Sequence, residues 1–208
     1  MLYNFLKKIF FKKENNFSKD IFNINKKVIF GFWIYIMSDC IMFATAFSVY
    51  FVMVNNISNG PSGKDIFNLN IVELETLFLL LSSFMFSISL NFLKKNNSFM
   101  VCFFLFLVFI LGFLFIFFES YEFFLLFHKN YYPTKSGFLS SFYFLLSFHG
   151  IHIIVGLIWI LLMIFQIIIL GINKNIITKI LCLSIFWHFL DIIWIFLFTF
   201  VYLFGMIK

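Results

Sequence analysis

The sequence predicts an all-α integral membrane protein, a bundle of five transmembrane helices, and three observations carry that prediction. Of its 208 residues 63% are hydrophobic and only 12% are charged, about half the charged share with which a soluble domain covers its surface. Five apolar runs, at about 28–54, 71–93, 98–127, 138–170 and 179–207, each exceed the roughly 20 residues that cross a bilayer core as a helix. What remains is a basic N-terminal tail, 1–27, and four short connections, the longest at 55–70. That leaves no room for a soluble catalytic domain, so any chemistry belongs inside the membrane or on another chain.

The tail carries Lys7, Lys8, Lys12, Lys13, Lys19, Lys26 and Lys27. It is too charged, and lacks the small-residue cleavage site, for a removable signal peptide, so the first run is expected to remain as a span. The opening 1–13 reads equally as a basic aromatic helix on the membrane surface or as a solvated tether. Pro61 and Pro133 both fall in connections, where a residue that cannot continue a helix is expected. The second connection adds Lys94 and Lys95, and the fourth adds Lys174 and Lys179. Lys64, Lys129, Lys135 and Lys208 fall on the opposite side. Eleven lysines against four place the tail in the cytoplasm and the C-terminus outside, in the periplasm, as five spans require.

Composition excludes several functions. All 15 basic residues are lysine and 38 residues are phenylalanine, a bias that discounts any single Lys or Phe as a signal. Without arginine there is no bidentate clamp for phosphate or base edges, which argues against a nucleic-acid partner. The net charge of +6 reads instead as basic loops against an anionic membrane surface. Cys40, Cys102 and Cys182 have no metal-site spacing and read as packing residues.

Ionisable groups within spans cost roughly 2.5–3.5 kcal/mol each on insertion scales and need explaining. Asp39 lies midway along the first run, and Glu73 and Glu75 open the second. Glu119 and Glu122 are in the third, His149 and His152 in the fourth, and His188 and Asp191 in the fifth. The last three pairs share an i,i+3 spacing, which puts both members on one helix face, expected to turn into the bundle. Three readings compete. A metal or haem site would use His and Glu on facing helices. Against haem, His149 and His188 should differ by about 10 Å in depth, whereas two axial ligands must face each other. A proton or ion pathway is the second, with carboxyls outnumbering histidines so that some should be protonated; no span carries the Gly/Pro interruption of transporter sites. The third is structural: interhelical hydrogen bonds, lipid contacts in clefts, or a partner surface. Ser82, Ser83, Ser140, Ser141, Gly150 and Gly156 supply the small residues such packing uses. His128, in a connection, reads as solvated.

The motifs then resemble a known family. WHFLDIIWIFLFTFVYLFG at 187–205 is similar to the last-helix signature of subunit III of the haem-copper respiratory oxidases. HGIHIIVGLIW at 149–159 resembles the penultimate helix, and ESYEF at 119–123 the paired glutamates of the helix before it. FGFWIYIMSDCIMF at 30–43 resembles the first common helix, with Asp39 at the membrane-embedded carboxylate position, where a Glu is more usual. Two further N-terminal helices of seven-helix members are absent. NGPSGKDIF at 59–67 and IVELETLFLLLSS at 71–83 resemble the cytochrome bo-type quinol-oxidase form. The resemblance implies an accessory membrane subunit of a proton-pumping terminal ubiquinol oxidase in a bacterial inner membrane, packed against subunit I and other oxidase subunits and holding phospholipid. It implies no redox centre in this chain, the haems and copper belonging to subunit I. With that reading, the interior polar face of Asp39, Glu75, Glu119, Glu122, His149, His152, His188 and Asp191 is expected to serve lipid binding and helix registry first and proton uptake second. An autonomous proton or ion transporter and the subunit III of a cytochrome c-linked oxidase remain as alternatives.

Overall fold

The computed structural model describes residues 26–57 and 69–207. The tail reading at 1–25, the connection at 59–67 and Lys208 lie outside the described residues. Five long helices follow one another: α1 (Lys26–Met53), α2 (Leu69–Lys94), α3 (Ser98–His128), α4 (Gly137–Leu170) and α5 (Lys174–Leu197). α5 continues through a π-helical turn, Phe198–Leu203, into a last α-helical turn, Phe204–Ile207. All five are long and apolar enough to cross a membrane, and among the described residues there is no strand.

Local chemistry sets the helix ends. Asn96 after α2 and Asn130 after α3 take the left-handed conformation at φ 54° and 59°, and Gly171 after α4 takes φ 65°; these are the residue types that tolerate it. The Asn97 side chain then accepts from the Met100 N–H at the start of α3, and the Ser136 hydroxyl accepts from the Leu139 N–H at the start of α4, each capping an otherwise unsatisfied donor. The fifth helix starts at Lys174, five residues before the apolar run suggests. Lys179 sits inside it and donates to Gln166 Oε1 of α4 at 3.0 Å, so a lysine does not mark the helix boundary.

The core lies along narrow seams rather than in a central ball. On α2 the buried positions are Val72, Glu75, Leu79, Ser82, Phe86, Ser89 and Leu93. On α3 they run Val101, Leu105, Val108, Gly112, Phe115, Glu119, Glu122, Leu126. Both alternate steps of three and four residues, the spacing of left-handed knobs-into-holes packing. α2 packs chiefly on α3, α3 on α4, and α4 on α5, while α1 lies against α4 and α5. α5 also touches α2, which makes it the hub. In its most apolar stretch 67% of the residues are buried, against 17% for α1.

Candidate functional site

The polar interior residues fall into separate groups, not one continuous face. The largest group sits at the end of the bundle that carries the start of α2 and the end of α3. Glu75, Glu119 and Glu122 are all buried there. Glu75 projects from α2 within electrostatic reach of both α3 carboxyls. Tyr202, in the π-helical turn, donates its hydroxyl to Glu122 Oε2 at 2.7 Å. Glu119 lies against Gly150 of α4: a Cβ built there would meet the Glu119 carboxyl oxygens at 2.8 and 2.9 Å. The glycine is therefore the space the carboxyl occupies, which is the close approach expected of small residues on this helix. One residue beyond Glu75, Thr76 accepts from the Trp194 indole N–H at 3.0 Å.

His149 is fully buried beside this group, its ring stacked on Trp194 at 5.4 Å and edge-on to Phe115. Neither ring nitrogen has a hydrogen-bond partner among the described residues. Its i,i+3 companion His152 is half-buried, bonds the Phe148 carbonyl at 2.8 Å, and packs on Phe43 of α1. Both rings thus approach Phe43 of α1, His149 edge-on at 6.4 Å, while His149 also reaches Trp194 of α5. Asp39 belongs to the α1 seam of Ile36, Asp39, Phe43, Ala46 and Tyr50, one turn from Phe43 and apart from the glutamates.

The remaining pair is nearer the other end. His188 Nδ1 and Asp191 Oδ2 are 3.6 Å apart; Asp191 is 8% exposed and His188 38%, so this pair is only half turned inward. His188 faces Phe86 of α2. Just before it, Trp187 is wholly buried and donates to Ser82 Oγ of α2 at 2.9 Å.

The histidines do not fit a haem. His149 stacks on Trp194, six residues along α5 from His188, an offset of about 9 Å. His152 and His188 point to α1 and α2 respectively. Among the described residues no three His, Cys, Asp or Glu side chains converge as metal ligands. Glu73, the companion of Glu75 at the start of α2, is exposed, and so is His128.

Several residues that complete the site stand outside the sequence reading: Tyr202, Trp194, Thr76 and Trp187. Thr76 lies beside the seam position Glu75 and is only partly buried, so its place in the seam does not announce it. Nothing in one sequence pairs Tyr202 with a glutamate 80 positions away. A groove of about 510 Å³ lies elsewhere, near the start of α5, lined by Phe32, Tyr35, Trp159, Thr178, Lys179 and Cys182.

The comparisons with known proteins agree on one family. The family described as cytochrome c oxidase subunit III matches residues 2–206. The cytochrome bo(3) ubiquinol oxidase subunit 3 of Buchnera aphidicola subsp. Baizongia pistaciae is 52% identical over 185 residues, 89% of this chain and 95% of that protein. The protein of the same name from Pseudomonas putida is 45% identical over 86% of each chain. A probable quinol oxidase subunit 3 of Staphylococcus saprophyticus is 33% identical over 89% of this chain and 91% of its own length.

Proposed function

The chain belongs to the cytochrome c oxidase subunit III family, and from that premise we propose that it is the accessory subunit III of a proton-pumping terminal ubiquinol oxidase. The observation that carries this is the 45–52% identity, over nearly the whole chain, to proteins named ubiquinol oxidase subunit 3. The same observation favours a quinol over a cytochrome c-linked complex, and an accessory role over an autonomous transporter. The chain itself oxidises nothing. Subunit I supplies the haems and copper, and this chain stabilises it in the bacterial inner membrane, N-terminus in the cytoplasm and C-terminus in the periplasm.

The interior residues serve that role as register marks. Glu75, Glu119, Glu122, His149 and Asp191 are buried, and a polar group so placed is tolerated only where its partners align, which penalises sliding of one helix on another. Asp39 does the same for α1. His152 and His188 are the members of the set that lipid can reach. Phospholipid is best served by the groove above, an apolar slot lined in part by Lys179, whose ammonium gives one hydrogen bond to Gln166 and has others left for a headgroup phosphate. Lys179→Gln is expected to lower the phospholipid phosphorus that co-purifies with the complex while leaving its haem content unchanged.

The function is tested by purifying the tagged chain from native membranes in mild detergent and recording its reduced-minus-oxidised spectrum before and after a harsher detergent. Haem bands should co-purify and then leave with larger chains. Haem retained by the isolated chain, or absent at both stages, sinks the proposal. Glu119→Ala and His152→Ala should weaken association with the partners and leave the haem bands of the assembled complex unshifted.

A further inference from the structure

We infer that Glu75, Glu119 and Glu122 form a closed proton-binding site in which the three carboxyls carry no more than one negative charge among them. The inference does not depend on which oxidase the chain serves, since it rests on donors, charges and enclosure at the site itself.

Enclosure comes first. Glu75 and Tyr202 are 0% exposed, and Glu119 and Glu122 are each 4%. Gly150 lets the Glu119 carboxyl seat directly on α4. Donors come second. Tyr202 gives its hydroxyl to Glu122 Oε2, whereas Glu122 Oε1, Glu119 Oε1 and both oxygens of Glu75 have no partner among the described residues. Glu75 is the independent feature: it enters from a different helix, wholly buried, and its unpartnered carboxyl meets the field of the α3 pair.

Charge comes third. The groups that face the site are Glu75 from α2, Glu119 and Glu122 from α3, Tyr143 and His149 from α4, and Tyr202 beyond α5. From α1, Tyr50 is the buried tyrosine nearest that end, and Asp39 lies three turns deeper along its seam. His149 spends its ring on Trp194 and bonds no carboxylate. The nearest lysine along α3, Lys129, is exposed beyond the helix end. A carboxylate without cation or donor in such surroundings is far more costly ionised than protonated, and carboxylates sharing one apolar site do not all ionise. Glu122, served by Tyr202, is the one that can keep a charge. Glu75 and Glu119 each take up a proton, RCOO⁻ + H⁺ giving RCOOH, with no change of oxidation state. As acids they become donors, and the cluster joins α2, α3 and the π-helical turn without net repulsion.

Infrared spectroscopy of the tagged chain, purified with its partners into nanodiscs at neutral pH, reads the protonated-carboxyl C=O stretch, identified by its shift in D₂O. Glu75→Gln and Glu119→Gln should each remove about one carboxyl's intensity, and Glu122→Gln little. Tyr202→Phe, which deprives Glu122 of its donor, should add intensity. Bands at wild-type strength in both the Glu75 and Glu119 variants overturn the inference. If those variants do not assemble, a wild-type protein without any D₂O-sensitive carboxyl band, or a Tyr202→Phe variant without a gain, overturns it equally. Haem content recorded on the same samples separates this outcome from failure of the proposed function.

Discussion

Trp187 ties four helices together through one side chain. Its indole N–H reaches Ser82 of α2, and its ring fills the space that glycines leave on two other helices. A Cβ at Gly112 of α3 would lie 2.8 Å from Leu157 Cδ2 and 2.9 Å from Trp187 Cη2, and one at Gly156 of α4 would lie 3.0 Å from Trp187 Cζ3. These atoms belong to packed side chains with little room to yield, so Gly112→Ala should cost about 1–3 kcal/mol by overpacking. Ser82→Ala leaves a buried indole N–H without an acceptor and should cost a similar 1–3 kcal/mol. The midpoint of detergent-induced unfolding of the purified chain measures both. A Gly112→Ala variant as stable as the parent would mean that α3 and α4 move apart at no cost and that the glycine is incidental. The sequence reading singles out Gly156 and Ser82 as small packing residues but not Gly112, because a small residue in a run of Phe and Leu declares itself only when its bulky partner is known.

At the scale of helices, the number of long apolar helices was legible because bilayer thickness sets their minimum length. Their inward faces were hidden. Lipid is as apolar as the core, so Phe113, Phe117 and Phe124 of α3 are exposed while Phe115 is buried, and hydrophobicity alone has no period around such a helix. The polar residues carried the information: Glu75, Ser82, Glu119 and Glu122 all mark seam positions. The i,i+3 argument succeeded for Glu119/Glu122 and only half succeeded for the other pairs, because His149 and Asp191 are buried while His152 and His188 stay partly exposed. The π-helical turn at Phe198–Leu203 had no Gly or Pro to announce it. A π turn accommodates one residue more than an α turn, and here it aims Tyr202 at Glu122. Deleting Thr199, which restores α-helical spacing, should rotate Tyr202 by about 100° and break that bond. The expected readout is a lower unfolding midpoint, comparable to that of Tyr202→Phe. A deletion variant more stable than Tyr202→Phe would show that the widened turn does not exist to deliver the hydroxyl.

For the whole molecule, the hairpin connections sort the charges. Three residues join α2 to α3 and three join α4 to α5, so the described lysines Lys94, Lys95, Lys174 and Lys179 share one end of the bundle with Lys27 at the start of α1. The opposite end is tied by the Phe138 N–H bond to the Asn56 carbonyl and carries Lys129 and Lys135. This asymmetry belongs to the folded topology, and the positive-inside rule predicts from it that the Lys94/Lys95 end lies in the cytoplasm. Reporter fusions test that. A green fluorescent protein fused after Lys95 should fluoresce, and alkaline phosphatase at the same place should be inactive; after Met206 the pattern should invert. Because five of the eleven lysines on that side lie in residues 1–25, replacing those five with Gln should weaken the bias, whereas replacing Lys129 and Lys135 should leave it unchanged. Phosphatase activity after Lys95 in the parent chain would reverse the bundle. It would put the Glu75 cluster on the cytoplasmic side and the Lys179 groove on the periplasmic side, away from the anionic leaflet surface that the groove's single lysine is best placed to meet.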